Sequence, residues 1–334
     1  MQKTWFITGT SSGLGRVLTE KLLARGDRVA ATLRRTDALD DLRALGGDRL
    51  WTAQLDVSDM ETVRSVVDRA FRDLGRIDVV VNNAAYALFG AAEEASDDQI
   101  RHQIDTNLIG SIQVIRAALP HLRAQGGGRI LQVSSEGGQI AYPNFSLYHA
   151  TKWGIEGFVE AVAQEVAPFG IAFTIVEPGP TRTNFGAGLV SPPPMAVYDD
   201  TPAGELRRAV MAGAFPIPGD PAKMADAMMD AAEHTPAPRR LLLGSGRLRQ
   251  GPWGAGRPAR CPGGTAGGRA RDRRRRVTRL GERDMPRRRP PWPARRRSVE
   301  SAAGWSGNAS ADHALDRRRA LDARSRRCGR QGPG

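Results

Sequence analysis

The chain of 334 residues carries a formal net charge of +13, yet the excess is confined to its end: residues 245–334 hold 25 arginines against 7 acidic residues, which leaves residues 1–244 at −5. Gly, Pro and Arg make up about half of those last 90 residues, with no Ile, Phe, Tyr or Lys, so they lack the apolar surface for a core and are expected to be disordered. Both cysteines, Cys261 and Cys328, lie there too, which excludes disulfide and thiol chemistry from residues 1–244.

Residues 3–8 form a short apolar run, followed by TGTSSGLG at 8–15 and an amphipathic stretch to 25. That order is strand, glycine turn, helix. Glycines allow a tight turn and close backbone approach, and the free N–H groups of the helix start attract phosphate. Further β-branched runs at 28–33, 50–55, 77–81, 129–134, 171–176 and 240–243 alternate with helical periods near 37–45, 59–74, 97–124, 146–168 and 221–233. Such alternation predicts right-handed βαβ crossovers and a mainly parallel sheet with helices on both faces. The fold class is therefore α/β, doubly wound. Residues 186–219, with SPPPM and few strong periods, read as a lid over a site.

Tyr148 and Lys152 stand four residues apart within a predicted helix, on one face, with Ser135 thirteen residues upstream. A phenol is too weak an acid–base catalyst at neutral pH unless a neighbouring cation stabilises its phenolate, and Lys152 is placed to do so. Strand alternation turns Ser134 and Ser135 to opposite faces. The histidines show no metal-ligand spacing, and there is no Gly-x-Ser-x-Gly elbow.

TGTSSGLG, LDV at 55–57, NNAA at 82–85, Asn107, Ser135, Tyr148/Lys152 and PGPTRT at 178–183 occur in one order, and over residues 1–244 the chain resembles the short-chain dehydrogenase/reductase family. The resemblance implies a seven-stranded Rossmann-type sheet in the order 3-2-1-4-5-6-7, a nicotinamide cofactor and a small carbonyl or alcohol substrate. It assigns Tyr148 as general acid/base, Lys152 as its tuner and a ribose contact, Ser135 as oxyanion donor, and Asn107 as a helix-kinking residue holding a water next to Lys152. Gly9, Ser11, Ser12, Gly13, Leu14 and Gly15 would hold the pyrophosphate. Asp56 and Val57 would flank the adenine, Asn82 would begin the segment along the adenosine ribose, and Pro178, Gly179, Thr181 and Thr183 would hold the carboxamide.

NAD-preferring members carry an acidic residue at the tip of the second strand. Here Leu33 occupies that place and Arg34 follows, which predicts NADP(H) over NAD(H). Leu88, Phe89, Ile140, Tyr142, Phe145 and Phe185 fall in the pocket-lining loops and imply a hydrophobic ketone or secondary alcohol. The stretches VAATLR and PFGIAFTIVEPGPTRTNF resemble steroid and retinoid dehydrogenase-like members. Ala85 departs from the family's usual glycine, and a left-handed backbone there would bring strain.

Family resemblance also implies a homo-oligomer. No apolar run is of spanning length and Met1 leads directly into the first strand, so a cytoplasmic location is expected. For residues 245–334 two accounts stay open: a basic arm that binds nucleic acid, or a frameshifted terminus, since Gly, Pro, Arg and Ala are what a GC-rich gene encodes in a wrong frame. A catalytically impaired protein with an altered carboxyl terminus is the alternative to an active enzyme.

Overall fold

In the computed structural model, which describes residues 2–244, seven strands pair in parallel in the order β3-β2-β1-β4-β5-β6-β7. They are β1 (Thr4–Thr8), β2 (Arg28–Leu33), β3 (Leu50–Gln54), β4 (Val79–Asn82), β5 (Gly128–Val133), β6 (Ile171–Pro178) and β7 (Arg240–Leu243). The disorder expected for residues 245–334, and the choice between a nucleic-acid-binding arm and a frameshifted terminus, lie outside the described residues.

The strands read as continuous apolar runs because alternate residues serve two cores. Phe6, Ala30, Val80, Ile130 and Phe173 join α3 (Met60–Leu74), α5 (Gly110–Ala124) and α6 (Ser146–Val166) on one face. Trp5, Ile7, Val29, Ala31, Val81 and Leu131 join α1 (Gly13–Arg25), α2 (Asp40–Gly46) and α8 (Pro221–Glu233) on the other. Chain order reverses between β1 and β4, so the loops after these neighbouring strands diverge and leave a crevice at the carboxyl ends.

The long helix expected over 97–124 is interrupted. α4 (Asp97–Ile104) is capped by Ser96 and Gln99, passes through a π-helical segment at Asp105–Ile109, and continues as α5. A π-bulge supplies the kink without a proline, and it carries Asn107.

Residues 186–219, read as a lid, contain a helix: α7, Pro202–Met211. Thr201 accepts from Ala203 N as its cap and Pro202 takes the first helical position, a start signal present in the sequence. What holds α7 is non-local. The Glu94 side chain is fully buried and accepts from Ala91 N at 2.7 Å, Met195 N at 2.8 Å and Arg207 Nη2 at 2.5 Å. Burial pushes this carboxyl up, but those bonds outweigh it and hold it below the usual range. Asn144 adds a second tie, donating from Nδ2 to Ala203 O at 2.7 Å.

Arg207→Met leaves Glu94 buried without its cation and is expected to cost about 3 kcal/mol in denaturant unfolding. Adding Glu94→Gln should recover most of that loss, and hydrogen exchange should place the weakened protection in Pro202–Met211. Equal stability of the single variant and the parent would contradict the role given to this pair.

Candidate functional site

The turn between β1 and α1 tolerates no side chains at two of its glycines. A Cβ on Gly9, whose φ is 72°, would lie 2.8 Å from Ala84 Cα, and one on Gly15 would lie 2.5 Å from both Gly9 O and Asn83 Nδ2. The packing that makes this so comes from β4. Asn83 N and Ala84 N donate to Thr8 Oγ1 at 2.9 and 3.0 Å, while Asn83 Nδ2 donates to Thr8 O and Gly9 O at 2.9 and 3.0 Å. Ser11 and Ser12 are exposed, Gly13 and Leu14 are half-buried, and Ser12 does not cap α1 with its side chain. The first N–H groups of α1 thus remain available to a phosphate, and the turn fits a dinucleotide. Thr183 closes the far side, 3.6 Å from where a Cβ on Gly13 would stand.

Asn82, read as the start of the ribose-flanking segment, keeps its own side chain in the core. Nδ2 donates to Ser111 O at 2.8 Å and Gln132 Oε1 at 2.9 Å, tying β4 to β5 and α5. Its neighbour Asn83 organises the glycine turn instead, and the second Asn of NNAA was the available signal.

At the tip of β2, Leu33 is buried and offers no hydrogen bond to a ribose, whereas Arg34 is exposed. Asp56 lies within electrostatic reach of Arg34. Burial pushes the Asp56 carboxyl up, but the Ser58 hydroxyl and N–H, with the Arg34 and His102 charges, bring it below the ordinary value. Val57 is buried with its carbonyl against Gly110.

Beyond β5, Ser135 Oγ accepts from Gly137 N at 3.0 Å, while Ser134 Oγ donates to Glu156 Oε1 at 2.5 Å. Tyr148 is 8% exposed and Lys152 2%, both on α6. Lys152 Nζ donates to Val133 O at 3.1 Å and lies 5.5 Å from the Tyr148 ring centroid. Burial lowers the ammonium to about 8, opposed by Glu156, so it remains mostly cationic at neutral pH. Burial raises the Tyr148 phenol to about 12; the Ser135 hydroxyl pulls it down and the Glu136 charge pushes it up. The ammonium that the spacing places beside this phenol donates to the Val133 carbonyl and stands over the Tyr148 ring.

Asn107 is buried and clamps Tyr86 from both sides, donating to Tyr86 O at 2.8 Å and accepting from Tyr86 N at 3.1 Å; it also donates to Thr151 Oγ1 at 3.4 Å. His149 is one residue after Tyr148 on α6. It is buried, its Nδ1 is 2.8 Å from Gly137 O and its Nε2 accepts from Tyr142 N at 3.0 Å, so it pins the loop after Ser135 to α6.

Phe145 and Phe185 stand 6.0 and 5.9 Å from the Tyr148 ring, and Phe89 packs on Phe145 at 4.9 Å. Phe185 is 40% exposed, whereas Leu88, Phe89 and Ile140 are buried. Tyr142 is less apolar in effect than its ring suggests, because its hydroxyl donates to Glu136 Oε1 at 2.9 Å. On the far side of the site Thr181 Oγ1 donates to Gly179 O at 2.7 Å, and Gly179 N donates to Leu243 O at 2.7 Å, which fixes the turn after Pro178 against β7. Among the described residues Asn144 alone of the non-glycines has a positive φ, so Ala85 carries no left-handed strain.

The family model for short chain dehydrogenases matches residues 3–192. The chain belongs to that family. This short-chain dehydrogenase is 38% identical over 245 residues to Oxidoreductase BOA17 of Botryotinia fuckeliana, a match spanning 73% of this chain and 89% of that one. A solved short-chain dehydrogenase from Streptomyces avermitilis is 42% identical with a TM-score of 0.68, over 73% of this chain and 89% of that one. The structure of ElxO with NADP bound is 25% identical with a TM-score of 0.61, over 73% and 97% of the two chains. The dehydrogenase is an oxidoreductase, and its family, its NADP-bound neighbour and its glycine turn agree on a nicotinamide cofactor. Among its described residues no helix is long and apolar enough to cross a membrane.

Burial lowers the His149 pKa, although the bond to Gly137 O partly opposes it, and protonation would remove the acceptor for Tyr142 N. A folded-state pKa below the unfolded value of about 6.5 means that the unfolded chain takes up the proton first, so this contribution is full above about pH 6.5 and declines as pH falls. Thermal unfolding across pH should show that decline in the parent, and His149→Gln should flatten it. A profile left unchanged by the substitution would contradict the assignment.

Proposed function

We propose that this dehydrogenase interconverts a hydrophobic ketone and its secondary alcohol with NADP(H), using residues 1–244 as its catalytic domain and Tyr148 as general acid/base. The observation that carries the reading is the Tyr148/Lys152 pair, buried side by side on α6 near Ser135. The nicotinamide supplies the hydride in reduction and accepts it in oxidation. In the reductive direction the Tyr148 phenol, neutral at physiological pH, gives its proton to the carbonyl oxygen. Ser135 Oγ donates a hydrogen bond to that oxygen as charge gathers on it.

The phenolate left on Tyr148 would be costly in a buried site without a cation. An ammonium at roughly 5 Å is worth about 3 kcal/mol to it at an effective dielectric of about 20. Lys152 supplies this charge and, with Tyr148, a contact to the nicotinamide ribose. Asn107 holds the Tyr86 loop against α6 and keeps the water expected beside Lys152 in place. Gly9, Ser11, Ser12, Gly13, Leu14 and Gly15 hold the pyrophosphate, Asp56 and Val57 the adenine side, and Pro178, Gly179, Thr181 and Thr183 the carboxamide. Exposed Arg34 beside buried Leu33 supports the preference for a 2′-phosphate. Phe145 and Phe185 beside Tyr148 support an apolar substrate.

Tyr148→Phe keeps the ring and removes the proton, so turnover of any accepted ketone should fall about 100-fold or more while NADPH affinity is retained. Wild-type turnover in that variant would overturn the mechanism. Fluorescence titration should show tighter binding of NADPH than NADH, reversed by Arg34→Asp; equal affinities before and after would remove the cofactor argument.

A further inference from the structure

Glu136 is the residue after Ser135, on the short 3-10 turn Glu136–Gly138, and its carboxylate is half-buried with no arginine or lysine within salt-bridge distance among the described residues. Each fully buried carboxylate among the described residues is paired: Asp27 meets Arg25, Glu94 meets Arg207, and Glu156 and Glu177 share Arg240. An unpaired carboxylate taken partly out of water is disfavoured, and burial duly pushes the Glu136 carboxyl up. Its Oε1 accepts from the Tyr142 hydroxyl at 2.9 Å. Oε2 has no partner among the described residues and borders the Pro178–Gly179 turn, 3.1 Å from where a Cβ on Gly179 would stand. Glu136 directly follows Ser135 in the chain and its free oxygen faces the Pro178–Gly179 turn, so that oxygen borders the proposed site.

We propose that Glu136 is a specificity residue of the substrate pocket, its free oxygen receiving a hydroxyl or ammonium carried next to the reacting carbon. Preferred substrates are then α-hydroxy or α-amino carbonyl compounds with an apolar remainder, which Phe145 and Phe185 accept. This rests on the function proposed above. A donor from the substrate satisfies the carboxylate, and a cation would also relieve the field that opposes phenolate formation on Tyr148. A plain ketone offers neither.

The test compares acetophenone, α-hydroxyacetophenone and α-aminoacetophenone with the NADPH-saturated full chain, in the parent, Glu136→Gln and Tyr142→Phe. An α-heteroatom makes any ketone more electrophilic, so the quantity that decides is the change in the kcat/KM ratio on substitution. Glu136→Gln should cut the preference for the substituted ketones, read as the kcat/KM ratio to acetophenone within each variant, by about 10-fold or more, and Tyr142→Phe should keep the preference. An unchanged ratio overturns the proposal.

Calorimetry of 1-phenylethane-1,2-diol against 1-phenylethanol on the NADP-saturated chain reads the same contact without turnover. The diol should bind more tightly, and Glu136→Gln should abolish its advantage. Equal affinities in the parent, or a loss of NADP affinity in the variant comparable to the loss of diol affinity, would also overturn it. If no ketone is reduced the proposed function fails, and the calorimetry still decides the role of Glu136.

Discussion

An ammonium ion inside the protein is the constraint around which the site is built. Lys152 lies in the core with one hydrogen bond of its own, to the Val133 carbonyl at the end of β5. Such a charge is costly to bury and needs opposite charge behind it. Glu156, one helical turn on, provides it and is itself held by Ser134, Gln139 and Arg240; Arg240 also binds Glu177. The chain of charge therefore runs from Lys152 through α6 to β6 and β7. This arrangement keeps a cation beside Tyr148 while leaving the phenol neutral in the resting protein, the state that the proposed proton-donor role requires.

The crevice on the other side of the sheet depends on an equally tight arrangement. Thr8 and Asn83 hold the ends of β1 and β4 so close that Gly9 and Gly15 have no room for a Cβ, which leaves backbone N–H groups rather than side chains facing the phosphate position. Backbone donors are already oriented and lose little freedom when a ligand arrives. The two halves of the site thus use one device: groups fixed by packing before anything binds.

Much of this was legible in the sequence. Continuous apolar strands separated by helical periods gave the parallel sheet, because a strand buried on both faces leaves that pattern. That Tyr148 and Lys152 share one face of α6 was legible because helix geometry brings positions four apart together, whereas Ser135 was singled out by the family's motif order. The rest depended on partners far away in the chain. Asn82 and Asn83 differ only in which way a strand end turns them, and Thr8, the partner that distinguishes them, is about 75 residues distant. Helix α7 lies in a stretch that its prolines and glycines made read as a lid, and it relies on Glu94, more than 100 residues earlier. Glu136 looks like any loop carboxylate until the structure shows that no arginine among the described residues reaches it.

The central claim proposed is that hydride passes from the nicotinamide directly to a carbonyl carbon in this site, and isotopic transfer tests it most directly. With the full chain, a ketone it accepts, and NADPH deuterated separately at each of its two C4 positions, one label should place a single deuterium on the carbinol carbon and the other none. A carbinol carbon free of deuterium with both labels, or labelled equally by both, would contradict the account.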